Sequence, residues 1–170
     1  VNYGLTVSDN NSQFILRQFE EYESKIRAIT FVHNEGIYNK SSEINYEKVI
    51  DAMKHIYNKY KLYHVSEIIE KIHIKISVLY LKDKRSTNII PCEVLNSSIH
   101  IMPSGDIQPC MYLSSVGNIK NDNIREIMSG DNVNKIKQSI KNNDCPHCWM
   151  NCYSVYSIMQ HPIKSLMKLL

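Results

Sequence analysis

Five cysteines are the residues of this sequence whose type and spacing are best suited to chemistry. None of them occurs in the first 91 residues, so we expect them to belong to one local site in the second half of the chain. Thiolates are soft ligands that bind zinc and iron-sulfur clusters. The clustering therefore predicts a metal site. The candidate ligands are Cys92, Cys110, Cys145, Cys148 and Cys152.

The spacing of these cysteines favours metal binding over disulfide formation. Cys145 and Cys148 form a C-x2-C pair. This spacing is too short for a stabilising disulfide but suitable for placing two thiolates on one metal. Cys92 and Cys110 stand on either side of a predicted hairpin and can supply two more ligands. Disulfides are also rare in the cytoplasm, where we expect this chain because its N-terminus has neither a basic region nor an apolar signal core.

Two other interpretations stay open on the residues alone. Cysteine is among the most buried residue types, so the five side chains can be inert parts of a core. The stronger alternative is a structural four-cysteine zinc site in an interaction module without catalytic activity. Zinc ribbons usually present two C-x2-C knuckles, whereas seventeen residues separate Cys92 from Cys110. His147 is left out of the ligand set because a His between two ligating cysteines is expected to point away from them.

The order of cysteines and glycine carries a family resemblance. The sequence runs Cys92, twelve residues, Gly105, four residues, Cys110, thirty-four residues, then Cys145-x2-Cys148-x3-Cys152. This order resembles the auxiliary-cluster domain of radical S-adenosylmethionine enzymes, called SPASM or, in its shorter form, twitch. A hairpin that reads I-x-P-x-G-D-I-x-P-C fits the same resemblance, as do the segments Val116–Ile119 and Arg125–Met128.

The resemblance implies one auxiliary 4Fe-4S cluster that serves electron transfer. Full SPASM domains have more cysteines and hold two clusters, whereas the twitch set corresponds here to Cys92, Cys110, Cys145 and Cys148. Cys152 either replaces one of these four or is a spare thiol beside the cluster, and the twitch set favours the spare. Trp149 follows the last of the four and is expected to shield the cluster, although ordinary core packing explains it equally well.

The resemblance also implies that the chain is the C-terminal half of a longer oxidoreductase or maturase. The C-x3-C-x2-C motif that binds the catalytic cluster is absent from these 170 residues, so the chain alone is expected to be inactive. In the full-length enzyme the cofactors would include S-adenosylmethionine. Thr6, Ser8 and His33 lie near predicted strand ends, but we assign no cofactor-binding or catalytic residue. The expected partners are a peptide or small-molecule substrate and an electron donor or acceptor protein.

Alternating strands and helices in the first half predict an α/β fold. Strand-like runs at 1–8 and 27–33 are each followed by a helical pattern, the first through Ile15, Phe19, Tyr22 and Ile26, and the second from an Asn45 cap to Tyr60. Two βα units in sequence predict a parallel sheet or part of a barrel. By the resemblance they belong to the partial (β/α) barrel of the radical enzymes. The apolar residues of the segment 65–81 fit the helical period and, in part, the alternation of a strand. The length of the segment and a Ser66 cap favour a helix.

Shorter elements in the second half predict a small α+β domain that positions the cysteines. A β-hairpin is expected between Ile99 and Ile107, with Gly105 supplying the positive φ of the turn. Short helices are expected at 124–128 and 133–140, and Pro162 is expected to open another. We therefore predict two domains, 1–88 with the βα units and 89–170 with the cluster.

Composition excludes several classes of function. The sequence is 43% hydrophobic and 22% charged, which is typical of a globular protein, and its net charge of +3 is too small to predict a nucleic-acid partner. The longest charge-free stretch, 145–163, is interrupted by prolines and polar residues, so no membrane association is expected. The remaining histidines are expected on exposed helix or hairpin faces. They are His55, His64, His73, His100 and His161.

Overall fold

A computed structural model of the chain describes residues 2–32, 43–62, 64, 66–83, 90–145 and 148–169. These ranges contain seven α-helices and five β-strands. The helices are α1 (Ser12–Tyr22), α2 (Tyr46–Lys59), α3 (Ser66–Lys82), α4 (Ile124–Ser129), α5 (Asp131–Lys141), α6 (Asn151–Gln160) and α7 (Pro162–Leu166). The strands are β1 (Tyr3–Val7), β2 (Ile26–Phe31), β3 (His100–Ile101), β4 (Asp106–Gln108) and β5 (Gly117–Asn118).

The first two strands pair in parallel, as the repeated βα pattern predicts. Their register runs from Tyr3 opposite Ile26 to Val7 opposite Phe31. The assignment of Ile26 to the first helix was wrong. Helix α1 ends at Tyr22, and a short 3-10 helix leads directly into β2, where Ile26 is buried in the sheet. Its helical spacing from Tyr22 is a coincidence of two adjacent elements that both face the core.

Helices α1, α2 and α3 bury their apolar faces in the core of the first half. The predicted Asn45 cap is confirmed, because its side-chain oxygen accepts the backbone N–H of Lys48 at 3.4 Å. The residues of this core are Val7, Ile15, Phe19, Ile26, Ile29, Phe31, Val49, Ala52, Met53, Ile56, Tyr60, Ile72, Ile74, Ile76, Val78, Tyr80, Leu81, Ile90, Trp149 and Ile158. Trp149 and Ile158 come from the second half, so α6 closes one side of this core.

The packing of α3 explains why its apolar residues fit both the helical period and the alternation of a strand. It packs against α2, β2 and α6, so side chains on several faces are buried and the apolar residues are not confined to one stripe. The prediction of a helix is confirmed, but Ser66 is the first residue of the helix and not its cap. The backbone N–H of His64 instead donates to the carboxylate of Glu67 at 2.8 Å. Length was therefore the more reliable signal.

A buried carboxyl group joins α3 to β2. Glu70 is 7% exposed, and its side chain accepts the backbone N–H of Ile29 at 2.6 Å. Burial raises the pKa of Glu70 to about 7, and the hydrogen bond from Ile29 only partly opposes this shift. The protonated form is therefore favoured by folding. Its contribution to stability is present below the ordinary pKa of 4.5 and is lost as the pH rises through about 7.

Replacing Glu70 with glutamine should remove this pH dependence. Glutamine keeps an acceptor for the N–H of Ile29 but carries no charge, so we expect Glu70→Gln to exceed the wild type in stability at pH 8 by about 3 kcal/mol. At pH 4 the two proteins should unfold alike. Urea unfolding at both pH values measures the difference, with the exposed Glu43→Gln as the matched control. Equal stability of Glu70→Gln and Glu43→Gln at pH 8 would contradict the assignment.

The second half contains a three-stranded antiparallel sheet in the order β3-β4-β5. The predicted hairpin is confirmed, and Gly105 has a φ of 92° at its turn. A Cβ at this position would lie 2.7 Å from the side-chain oxygen of Asn118, so glycine is required for space as well as for conformation. The predicted short helices correspond to α4 and α5, and Pro162 opens α7. A second, smaller core unites these elements. Its residues are Val94, Leu95, Ile107, Cys110, Val116, Ile127, Val133, Met150 and Tyr153.

The observed architecture is a mixed α/β fold, which confirms the predicted class. A partial barrel remains a prediction, because the described residues contain one parallel pair of strands. The predicted domain boundary between residues 88 and 89 lies within the segment 84–89, which is outside the described residues. His33, Pro146 and His147 also lie outside them. No helix in the described ranges is long and apolar enough to cross a membrane.

Candidate metal centre

Four of the five cysteines line one cavity of about 810 Å³. Each comes from a loop next to an element of the second half. Cys92 lies between α3 and β3, Cys110 follows β4, Cys145 follows α5, and Cys148 precedes α6. The hairpin and α5 thus bring together thiols that are far apart in sequence. This is the convergence that the cysteine spacing predicted.

Electrostatic interactions show that the four cavity thiols form one group. Cys92, Cys110, Cys145 and Cys148 each interact with the other three. Cys152 differs, since among the described cysteines it interacts with Cys110 alone and does not line the cavity. Cys152 is the second residue of α6 and is exposed. The geometry therefore separates Cys152 from the other four.

Burial favours the protonated form of three of the cavity thiols, Cys92, Cys110 and Cys148, when no metal is bound. It is the first cause that raises the pKa of Cys92, Cys110 and Cys148, the last of these to about 12. The residue Cys92 as a whole is exposed, but its thiol is surrounded closely enough that burial is the largest cause of its raised pKa. Neighbouring thiols raise these pKa values further. A cation that binds these three thiols must therefore displace protons, so its affinity should rise with pH.

Backbone N–H groups oppose this effect at three of the four sulfurs. The N–H of Val94 lowers the pKa of Cys92, and the N–H of Met150 lowers that of Cys148. At Cys110 the N–H groups of Tyr112 and Leu113 do the same. In each case a donor lies two residues after the cysteine. Such donors stabilise negative charge on sulfur and orient it, so the loops are suited to hold thiolate ligands.

A single zinc ion and an iron-sulfur cluster require different spacings of their thiolate ligands. Among the described residues, no three His, Cys, Asp or Glu side chains lie close enough together to hold one metal ion. Tetrahedral zinc, with Zn–S distances of about 2.3 Å, would require sulfurs about 3.8 Å apart. An iron-sulfur cluster is ligated at its corners, so its thiolates stand farther apart around a central volume. The cavity lined by the four cysteines has a volume of about 810 Å³.

Trp149 forms the wall between the cavity and the core of the first half. Its side chain lines the cavity, is 4% exposed and stacks on His73 with ring centres 5.7 Å apart. The indole N–H donates to the backbone oxygen of His73 at 3.4 Å. Shielding of a cluster by Trp149 remains a prediction, but the side chain lies where such a shield is needed.

The expectation that His73 is exposed was wrong. His73 is fully buried between α3 and α6, with Nδ1 2.8 Å from the hydroxyl oxygen of Ser154 and Nε2 3.4 Å from that of Ser77. The sequence pattern of α3 did not show this, because α6 covers the face that carries His73. Ser154 also lines the cavity, so this polar network reaches the cavity wall.

The sequence analysis did not identify Tyr153 as a residue of the site. The ring of Tyr153 lines the cavity and stacks edge-on against His100 at 5.1 Å. Its hydroxyl oxygen accepts the backbone N–H of Met111 at 3.2 Å and so fixes the loop that carries Cys110. The position of Tyr153 directly after a cysteine was the only available signal.

The residues at the end of β1 make local contacts. The amide nitrogen of Asn11 donates to the backbone oxygen of Thr6 at 3.0 Å, and the N–H of Ser8 donates to the side chain of Asn11 at 2.7 Å. These bonds close the turn between β1 and α1. They assign no cofactor contact to Thr6 or Ser8, and His33 lies outside the described residues.

One family model matches the region of the chain that contains the cysteines. Residues 92–153 match the family model of SPASM, which is an iron-sulfur cluster-binding domain. The predicted resemblance of this region is confirmed, and such domains are found in radical S-adenosylmethionine enzymes. The matched range begins at the first cavity cysteine and ends after the last. Neither the curated proteins nor the solved structures contain a match to this chain.

Proposed function

We propose that this chain carries one auxiliary 4Fe-4S cluster on the thiolates of Cys92, Cys110, Cys145 and Cys148. The observation that supports this most strongly is the convergence of these four thiols on one cavity inside the matched SPASM region. Their mutual electrostatic interactions and their separation from Cys152 support the same set. With four protein ligands the cluster has no open iron, which suits electron transfer better than direct binding of a substrate.

The residues around the cavity have roles that follow from their positions. The N–H groups of Val94 and Met150 stabilise thiolate charge, and Trp149 excludes water on the side of the first core. When bound, such a cluster supplies the ability to accept and release one electron. Tyr153 holds the loop of Cys110 in place. The protein thus contributes ligand orientation, local polarity and shielding, which are its means of controlling a cluster.

We further propose that the chain is part of a larger radical S-adenosylmethionine enzyme. The parallel pair of β1 and β2, each followed by a helix, supports its membership of a partial (β/α) barrel, with residues 1–88 and 89–170 as separate domains. The cofactor-cleaving cluster would be held elsewhere, because the C-x3-C-x2-C motif is absent from these residues. The substrate would be a peptide or a small molecule, and an electron donor or acceptor protein would exchange electrons with the auxiliary cluster.

Two measurements on the anaerobically reconstituted 170-residue chain test this proposal. The chain should take up one electron per cluster reversibly, and it should form no deoxyadenosine from S-adenosylmethionine under strong reductant. A longer protein that includes a C-x3-C-x2-C barrel provides the positive control for the second assay. Steady deoxyadenosine formation by the chain itself would move the catalytic site into its cysteine cluster. A colourless chain that holds zinc would instead support a structural interaction module.

A further inference from the structure

Two lysines share the cavity with the four cysteines. Lys137 and Lys141 stand one turn apart on α5, and both line the cavity. Lys137 is half-buried and Lys141 is exposed, so they reach from the inner wall to the rim. In the described part of the chain, neither lysine forms an ion pair within 4.0 Å. Their positive charges are therefore available to whatever occupies the cavity.

The one carboxylate among the residues that line the cavity is already paired. Glu93 accepts from His161 Nε2, which lies 2.7 Å from its carboxylate oxygen. Within the described residues Glu93 forms no ion pair with Lys137 or Lys141, and its single charge can offset only one of the two lysines. Apart from the thiols, the described lining thus contributes an excess of positive charge.

We infer that Lys137 and Lys141 stabilise the reduced form of the centre held by the four cysteines and so raise its reduction potential. This inference rests on the proposed cluster. Four thiolates bring more negative charge than an iron-sulfur core neutralises, and uptake of an electron adds one further negative charge. A nearby cation therefore stabilises the reduced form more than the oxidised form. Because both lysines belong to one helix face, they act from the same side.

The size of the effect follows from distance and exposure. Across a cavity of this volume, at an effective dielectric constant of about 20, one charge should change the ratio of reduced to oxidised cluster at a fixed potential by about threefold to tenfold. For a one-electron couple this corresponds to about 30 to 59 mV. Lys137 should have the larger effect, since water screens the exposed Lys141 more strongly.

Redox titration of the reconstituted chain tests the inference. Lys137→Gln should lower the midpoint potential by the stated amount, Lys141→Gln should lower it less, and both should keep the wild-type iron content. Lys135→Gln is the matched control, because Lys135 lies exposed on the same helix but does not line the cavity. Lys137→Arg retains the charge and should restore the potential. Cluster absorbance and the electron paramagnetic resonance signal report the reduced fraction.

Several results would overturn the inference. Equal potentials in Lys137→Gln and Lys135→Gln would do so, and so would loss of iron in Lys137→Gln, which would give the lysine a role in assembly. If the wild-type chain bound zinc and no iron, the proposed cluster would fail, but the charge argument would still apply to four zinc-bound thiolates. Lys137→Gln should then bind zinc about threefold to tenfold more weakly than Lys135→Gln, and equal affinities would contradict it.

Discussion

Replacing Cys148 with serine should reduce the iron content of the reconstituted chain to a small fraction of the wild-type value. Cys148 lines the cavity and interacts electrostatically with Cys110, Cys92 and Cys145. A serine hydroxyl is a poor ligand for a metal that prefers soft thiolates. Iron per chain after anaerobic reconstitution measures the effect. The same loss is expected for serine at each of the other three cavity cysteines.

Cys152→Ser provides the matched control for this series. Cys152 is exposed on α6 and lies outside the residues that line the cavity, so this variant should retain nearly all of its iron. The substitution is chemically identical to the other four, which separates loss of a ligand from a general effect of serine. Equal loss in Cys152→Ser and Cys148→Ser would show that Cys152 replaces one of the four proposed ligands.

Removal of the cluster should unfold much of the second half while the first half stays folded. The second core is small, and α5 contributes a single fully buried residue, Val133, to it. A cluster that joins Cys92 and Cys110 to Cys145 and Cys148 ties segments that are separated by thirty-four residues. Because ligand binding and folding are coupled in small metal domains, chelation should accelerate amide exchange in β4 and α5 on the order of a hundredfold.

Amide exchange in α2 and α3 provides the internal control for this experiment. These helices belong to the first core, to which they contribute Met53, Ile56 and Ile74 and to which the second half adds only Ile90, Trp149 and Ile158. Their protection and most of the helical circular dichroism should therefore survive chelation. If amide exchange in β4 and α5 were unchanged after chelation, the cluster would not stabilise the fold of the second half. Loss of protection throughout the chain would instead show that the two cores unfold as one unit.

Local signals in the sequence were sufficient for much of the fold. Gly105 within a turn sequence, Asn45 before an apolar helical pattern and Pro162 at a helix start each act through their own backbone, and each is found where it was predicted. The convergence of the four cysteines was also predictable. Their chemistry and spacing restrict the arrangement, whatever the surrounding packing.

Features that depend on distant packing were not predictable in the same way. His73 was expected to be exposed, but α6 covers it from about eighty residues away in sequence. The burial of Glu70 and the position of Lys137 at the cavity likewise follow from how helices lie against other elements. A single sequence shows the period of an element, but it does not show which faces other elements will cover.

Metal analysis of the anaerobically reconstituted 170-residue chain tests the central claim most directly. Four thiolates around one cavity predict a brown protein with about four irons per chain and broad absorption near roughly 400 nm. The same preparation should contain little zinc. A colourless protein with about one zinc per chain would contradict the claim and assign the four cysteines to a structural zinc site. An iron content near twice the expected value would show that the chain holds a second cluster.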